Sequence, residues 1–304
     1  MINLMLDNIS TTEYISSFVH LVEPFNRYRK TYKNFLTVMF GVVNNKYPIQ
    51  SILKNGNKKI LHNYHESYLT THGIIDFFKI SDNIISIFKP GLPEIVIDLG
   101  HDNGDVYSVF FEEAYDFLPV KNHTVIDIGA NIADSSIYFA MMGSKKVIAL
   151  EPLPKNYDLA KINIKKNLFE NKIDLFMNGC SNSNGSMLID PEKEGAGNSI
   201  QHSKNQLEIP LKTLEKILQE YDFEPTILKL DCEGCEYDVI LESDKSILQN
   251  FSHIQIEYHY GYQNLKNKLL SCGFDVKVTK PNFIRNRQAG KNMFYGYLYA
   301  TRST

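Results

Sequence analysis

The strongest constraint on this chain is one short stretch, Val125-Ile126-Asp127-Ile128-Gly129-Ala130-Asn131-Ile132-Ala133-Asp134. An apolar run reaches a carboxylate at Asp127, turns at Gly129 and enters a helical pattern near Ser135. That is the strand-turn-helix corner of an open α/β sheet, where ligands bind outside the carboxyl ends of strands. The sequence beyond it keeps the same alternation. Strands are expected at Thr124–Ile128, Lys146–Leu150, Ile173–Met177, Thr226–Leu230, His253–Tyr258, Asp275–Thr279 and Phe294–Ala300. Helices are expected at Ser135–Met142, Asn156–Phe169, Leu211–Tyr221, Tyr237–Leu241 and Gln263–Ser271. Strands alternating with helices over short connections imply a mostly parallel sheet covered on both faces. No helix separates the last two strands, which fits an antiparallel pair.

The corner discriminates between ligands. A dinucleotide site needs further glycines so that backbone can approach a pyrophosphate. Here Asn131 and Asp134 stand at those positions. Carboxylates at Asp127 and Asp134 would repel phosphates, which argues against an NAD-dependent oxidoreductase. A sulfonium and an ammonium would be attracted instead. Glu151 ends the second strand, 22 residues after Gly129, and an acidic residue at about this distance suits a ribose hydroxyl pair.

The strings VIDIGANIADSSIYFA, VIALEP, LKLDCEGCEYDVI and IQIEYH resemble the FkbM-type family of S-adenosylmethionine-dependent methyltransferases, from roughly Glu113 to Phe274. The resemblance implies a Rossmann-like class I methyltransferase fold with a seven-stranded, mostly parallel sheet. In typical members the methyl goes to a hydroxyl oxygen. By position, Asp127, Gly129 and Asn131 would face the methionine part of the donor. Asn178, Gly179 and Cys180 would border its adenine, and Glu113 and Tyr115 its amino-acid end. Ala133 replaces a usual glycine. Cys232 and Cys235 stand where small or apolar residues are usual, so they are expected to be two buried substitutions without chemistry.

On the acceptor side, the fourth strand ends Asp231-Cys232-Glu233 and the fifth ends Glu257-Tyr258-His259. Residues two apart on a strand share a face, so Asp231 is expected beside Glu233 and Glu257 beside His259. Asp231 or His259 could serve as general base, with Glu257 as orienting partner. Asp231, Glu233, Glu257 and His259 could instead hold Mg²⁺. Glu236 is expected to cap the following helix. The polar segment Asp190–Ser203 reads as a lid or a surface loop.

Residues 1–111 differ in character and form an expected N-terminal α+β extension, with 112–304 as the donor-binding domain. Helical patterns run over Tyr14–Phe25 and Phe35–Val43, and Asn55-Gly56-Asn57 marks a hairpin. Arg27-Tyr28-Arg29-Lys30 interleaves bases with aromatics, which keeps an RNA methyltransferase as an alternative. The formal net charge of −3 does not favour nucleic acid. A small-molecule, sugar or glycolipid acceptor is expected, and a non-catalytic binding subunit is disfavoured because Gly129 and Glu151 are both present. Four cysteines without a second ligand pair argue against structural zinc and for a reducing compartment. No signal-like run or membrane span is read, so a cytoplasmic location is expected. The acceptor and the oligomeric state are not legible.

Overall fold

The computed structural model describes residues 22–81, 83–100, 105–189, 207–285 and 292–302. The expected lid and most of the first amphipathic helix lie outside the described residues. The chain divides into two compact units between Asp102 and Asn103.

The first unit opens with α1 (Val22–Thr31) and α2 (Phe35–Val43), followed by the antiparallel hairpin β1 (Ile49–Ile52) and β2 (Lys58–Leu61). Tyr32, Val38, Ile49 and Leu61 form a small buried cluster between them. Helix α3 (Tyr64–His72) was not expected, because its buried face is Ser67, Leu69, Thr70 and Thr71 and shows little apolar periodicity. Its start is fixed by polar groups: Asn63 Oδ1 accepts the Glu66 N–H at 2.9 Å, and Glu66 Oε2 accepts the His62 N–H at 2.7 Å. Such reciprocal capping satisfies otherwise orphaned donors. Strands β3 (Phe78–Ser81), β4 (Ile84–Ile87) and β5 (Ile95–Asp98) follow as an antiparallel meander.

The second unit begins at α4 (Asp105–Phe110) and then alternates. Its elements are β6 (Thr124–Ile128), α5 (Asp134–Met141), β7 (Lys146–Leu150), α6 (Pro154–Lys166) and β8 (Ile173–Phe176). A three-stranded annex of β9 (Gly179–Cys180), β10 (Gly185–Ile189) and β11 (Leu207–Lys212) intervenes. Then come α7 (Leu214–Glu220), β12 (Ile227–Leu230), α8 (Cys235–Glu242), α9 (Lys245–Leu248), β13 (His253–Tyr258), α10 (Gln263–Ser271), β14 (Asp275–Val278), β15 (Asn282–Arg285) and β16 (Asn292–Thr301). The main sheet runs β8-β7-β6-β12-β13-β16-β14, with β15 paired to β16 off this path. The first five strands are mutually parallel, and β16 lies antiparallel to both β13 and β14. This is the seven-stranded, mostly parallel α/β sheet of the class I methyltransferase fold. The sheet buries Ile126, Ile128, Leu228, Leu230, Ile254 and Ile256 almost completely.

The annex corrects one expected helix. Leu211 and Lys212 are strand residues paired with Gly179 and Cys180, and the helix starts only after Thr213, whose side chain caps the Lys216 N–H. The chain beyond β13 is pinned by Tyr237, whose hydroxyl donates to the Gly261 carbonyl at 2.6 Å and accepts the Tyr260 N–H at 2.8 Å. That bond holds the segment carrying His259 against α8. No helix among the described residues is long and apolar enough to cross a membrane.

Candidate active site

Strand β6 is buried along its whole length, yet it carries Asp127. The neighbouring strand β12 is equally buried and carries Lys229 directly opposite in register. Lys229 Nζ lies 3.0 Å from Asp127 Oδ1, and both side chains are essentially inaccessible. Burial alone would lower the lysine pKa, but the Asp127 and Asp231 carboxylates outweigh it and hold the ammonium well above its ordinary value. Lys229 also donates to the Gly129 carbonyl at 2.8 Å. Asp127 Oδ2 accepts the hydroxyls of Ser135 at 2.7 Å and Ser136 at 2.6 Å, both from the first turn of α5. The pair therefore ties two strands, the turn and the helix into one corner. Gly129 has φ +78°, and a Cβ there would fall 1.7 Å from the Asp231 carbonyl oxygen. Only glycine allows that approach.

Above this corner lies a cavity of about 330 Å³. Five carboxylates line it, from Asp105, Asp134, Glu151, Asp231 and Glu233, with Lys229 as the lone cation among the lining residues. Tyr115, Met187, Ile189 and Tyr260 add apolar or aromatic wall. Glu151 is held in place by two backbone donors, Asn131 N–H to Oε2 at 2.8 Å and Leu153 N–H to Oε1 at 2.9 Å. Burial, opposed by those bonds, pushes Glu151 up to about 7. Burial and the neighbouring Asp105 push Asp134 up to about 7. Burial and Asp231 push Asp105 up to about 6. Burial makes each harder to ionise, and a neighbouring carboxylate adds to it for Asp134 and Asp105. The site is thus short of positive charge.

On one wall, His259 gathers three carboxylates. Its Nδ1 lies 3.1 Å from Glu236 Oε1, and its Nε2 lies 3.5 Å from Glu233 Oε2 and 3.7 Å from Asp231 Oδ1. Burial alone would lower the histidine pKa, but Glu236, Glu233 and Asp231 raise it to about 10. His259 is therefore an imidazolium at neutral pH. An imidazolium has no free lone pair to take a proton, which favours Asp231 over His259 as the general base. Glu236 was expected as a helix cap; fully buried in the first turn of α8, it instead accepts the Cys232 N–H at 3.0 Å and faces His259. Asp231, Glu236 and His259 each bring a ligand atom within 4.8 Å of the others, a spacing a cation could bridge.

The expected site residues divide into groups. Gly129, Asn131, Asp134, Glu151, Tyr115 and Asp231 all line the cavity. Asp127 lies beneath it, engaged by Lys229 and the α5 serines. Gly179 stands behind the wall, where an added Cβ would meet Leu211 at 2.6 Å and Met187 at 3.4 Å. Asn178, buried beside it, donates to the Pro210 carbonyl at 3.4 Å. Glu113 lines a different depression with Lys277 and Tyr297. Glu257 is hydrogen-bonded to Tyr297 rather than to His259, and burial followed by Asp231 pushes it up to about 8. Lys229 and Asp105 were missed. A single lysine in the otherwise apolar Ile227-Leu228-Lys229-Leu230 was the available signal, since a buried ammonium demands a buried partner.

Cys232 and Cys235 were expected as two buried substitutions without chemistry. They are half-buried and joined by a disulfide. Gly234, with φ +125°, turns the chain between them at the entrance to α8. With both sulfurs bonded to each other, neither is a thiolate ligand for zinc.

Residues 127–276 match the family model described as Methyltransferase FkbM domain. A curated relative, the methyltransferase sdnD of Sordaria araneosa, is 26% identical over 186 residues, which is 49% of this chain and 71% of the relative. Among solved structures, the FkbM methyltransferase of Methylobacillus flagellatus aligns at 16% identity with a TM-score of 0.44, covering 64% of this chain and 47% of that one. TYW2 of M. jannaschii in complex with AdoMet aligns at 15% identity with a TM-score of 0.41, covering 74% of this chain and 89% of that one.

Two measurements check this geometry. Lys229→Met leaves the Asp127 carboxylate buried and unpaired, so urea unfolding should show a loss of about 3–5 kcal/mol. Adding Asp127→Leu should recover part of that loss, because the uncompensated charge is gone. Equal stability of wild type and Lys229→Met would contradict the pair's role. Thiol titration in denaturant without reductant should find only Cys180 and Cys272, the two free cysteines. All four reacting without reductant would rule out the disulfide.

Proposed function

We propose that this chain, whose residues 127–276 match the FkbM methyltransferase domain, transfers a methyl group from S-adenosylmethionine to a hydroxyl of a sugar, glycolipid or other small metabolite. The observation that carries this reading is the carboxylate-lined cavity at the carboxyl ends of β6, β7 and β12. Bound there, S-adenosylmethionine supplies an electrophilic methyl on a sulfonium. The donor set fits it: Glu151 has lone pairs left beyond its two backbone bonds to take ribose hydroxyls, and Asp134 and Asp105 offer negative charge to the ammonium. Asp127 acts from below, by fixing Lys229 and the turn. A phosphate-bearing cofactor fits poorly against five carboxylates.

On the acceptor side, Asp231 is the proposed proton acceptor, and the imidazolium of His259 orients it together with Glu233. Glu257 serves at most as a positioning residue through Tyr297. Residues of the first unit are assigned to acceptor recognition or self-association. A divalent cation such as Mg²⁺ is the second reading, favoured by the convergence of Asp231, Glu236 and His259. EDTA abolishing turnover and Mg²⁺ restoring it would select it.

The pKa shifts fix a sign. Asp105, Asp134 and Glu151 sit at about 6, 7 and 7, all above their ordinary values. They are largely protonated at pH 5 and ionised at pH 8. A cationic donor favours the ionised forms, so its affinity should rise across that range, with protons released near neutrality. Calorimetry in buffers of different ionisation enthalpy reads this directly, and a pH-independent affinity would count against the reading. Asp231→Asn should lower kcat by about 10²–10⁴-fold, the usual contribution of a positioned base. His259→Gln should lower kcat less and change the pH profile, whereas an unaltered profile would remove His259 from the mechanism.

A further inference from the structure

The first unit carries a surface that the cavity does not use. Residues 24–65 contain eight Lys and Arg and no Asp or Glu. Arg29, Lys30, Lys33, Lys46, Lys54 and Lys58 among them are exposed. Embedded in this basic stretch is α2, Phe35-Leu36-Thr37-Val38-Met39-Phe40-Gly41-Val42-Val43, a helix without a charged residue. Its two sides differ in what they meet. Val38 and Gly41 are buried, and a Cβ on Gly41 would fall 2.7 Å from Ile49 Cδ1. Leu36, Phe40 and Val43 lie at i, i+4 and i+7, on one stripe, and are 64%, 63% and 80% exposed. The stripe is framed by charge: Lys33 precedes the helix, Lys46 follows it, and Lys46 Nζ sits 5.6 Å from the centre of the Phe40 ring.

We propose that this stripe and its basic surround form a docking site for an anionic phospholipid bilayer surface. An exposed apolar helical stripe with lysines and arginines beside it lies in the plane of a membrane interface, the apolar side chains entering the acyl boundary and the cations meeting lipid phosphates. Charge complementarity selects the occupant. A second copy of the chain would bring two wholly basic stretches face to face. A nucleic acid would satisfy the cations and leave Leu36 and Val43 against phosphate. An anionic bilayer takes up both the apolar stripe and the positive charge. The helix is too short to span a membrane, so the attachment is interfacial and reversible. None of these residues lines the donor cavity, so the proposal stands apart from the methyl-transfer reading.

The test is flotation of the full chain with vesicles of phosphatidylcholine alone and of phosphatidylcholine mixed equally with phosphatidylglycerol. Wild type should float with the anionic vesicles, weakly or not at all with the neutral ones, and less as salt is raised. Phe40→Ser and Val43→Ser change exposed side chains, so thermal melting should be unchanged while partitioning falls at least about tenfold. Lys46→Glu exchanges a cation for an anion and should cost more than about fivefold, the worth of one interfacial charge. Wild type that ignores anionic vesicles overturns the proposal, as does binding indifferent to all three substitutions. Binding to a single-stranded RNA oligonucleotide, without vesicle binding, assigns the surface to nucleic acid and overturns it too. A dimer that Val43→Ser converts to monomer, again without vesicle binding, overturns it in favour of self-association.

Discussion

The buried ion pair between Asp127 and Lys229 is the interaction on which the rest of the second unit depends. Two charges removed from water are costly unless each finds partners. Here the partners are what assemble the site. The lysine takes the Gly129 carbonyl and so fixes the turn. The aspartate takes Ser135 and Ser136 and so fixes the start of α5. In-register pairing across β6 and β12 brings the two together, so sheet topology and corner geometry are one constraint. Gln255, opposite Lys229 on β13, extends the polar row and donates to the Ala114 carbonyl at 2.7 Å. That bond anchors the segment leading to Tyr115 at the cavity wall.

From that corner follows the electrostatic character of the cavity. Lys229 is spent on Asp127 and the turn, so its charge offsets the lining carboxylates only partly. Their raised pKa values come first from burial, to which neighbouring carboxylates add at Asp105 and Asp134. A site built this way discriminates by charge before shape. His259 shows the same logic locally: a desolvated ring would normally shed its proton, and three carboxylates make it keep the proton.

The parallel sheet was legible in the sequence because each strand is a short apolar run ending at a turn or carboxylate, and the strand at His253–Tyr258 and the helix at Gln263–Ser271 begin and end where the pattern says. Gly129, Asn131, Asp134 and Glu151 were legible for the same reason: a strand end positions them through backbone alone. What escaped depends on long-range pairing. Asp105 reaches the cavity from a one-and-a-half-turn helix too short to show periodicity. The annex β9-β10-β11 closes across residues far apart in the chain, and α3 hides behind a polar inner face. Glu257 and His259 were grouped by the two-residue rule, but β13 ends at Tyr258. His259 therefore follows the turn toward Glu236, and Glu257 stays on the strand with Tyr297. The disulfide was misread because local spacing does not report whether two sulfurs face each other.

On the proposed reading, the cavity's negative charge selects a sulfonium donor over a phosphate-bearing one. The direct measurement is calorimetric titration of the full chain at mildly alkaline pH, where the lining carboxylates are ionised, with S-adenosylmethionine, S-adenosylhomocysteine and NAD. The account predicts saturable binding of S-adenosylmethionine, weakened by Glu151→Ala by roughly ten- to a hundredfold, the worth of a charge-assisted hydrogen bond, and no measurable binding of NAD. Saturable NAD binding with none of S-adenosylmethionine would contradict it.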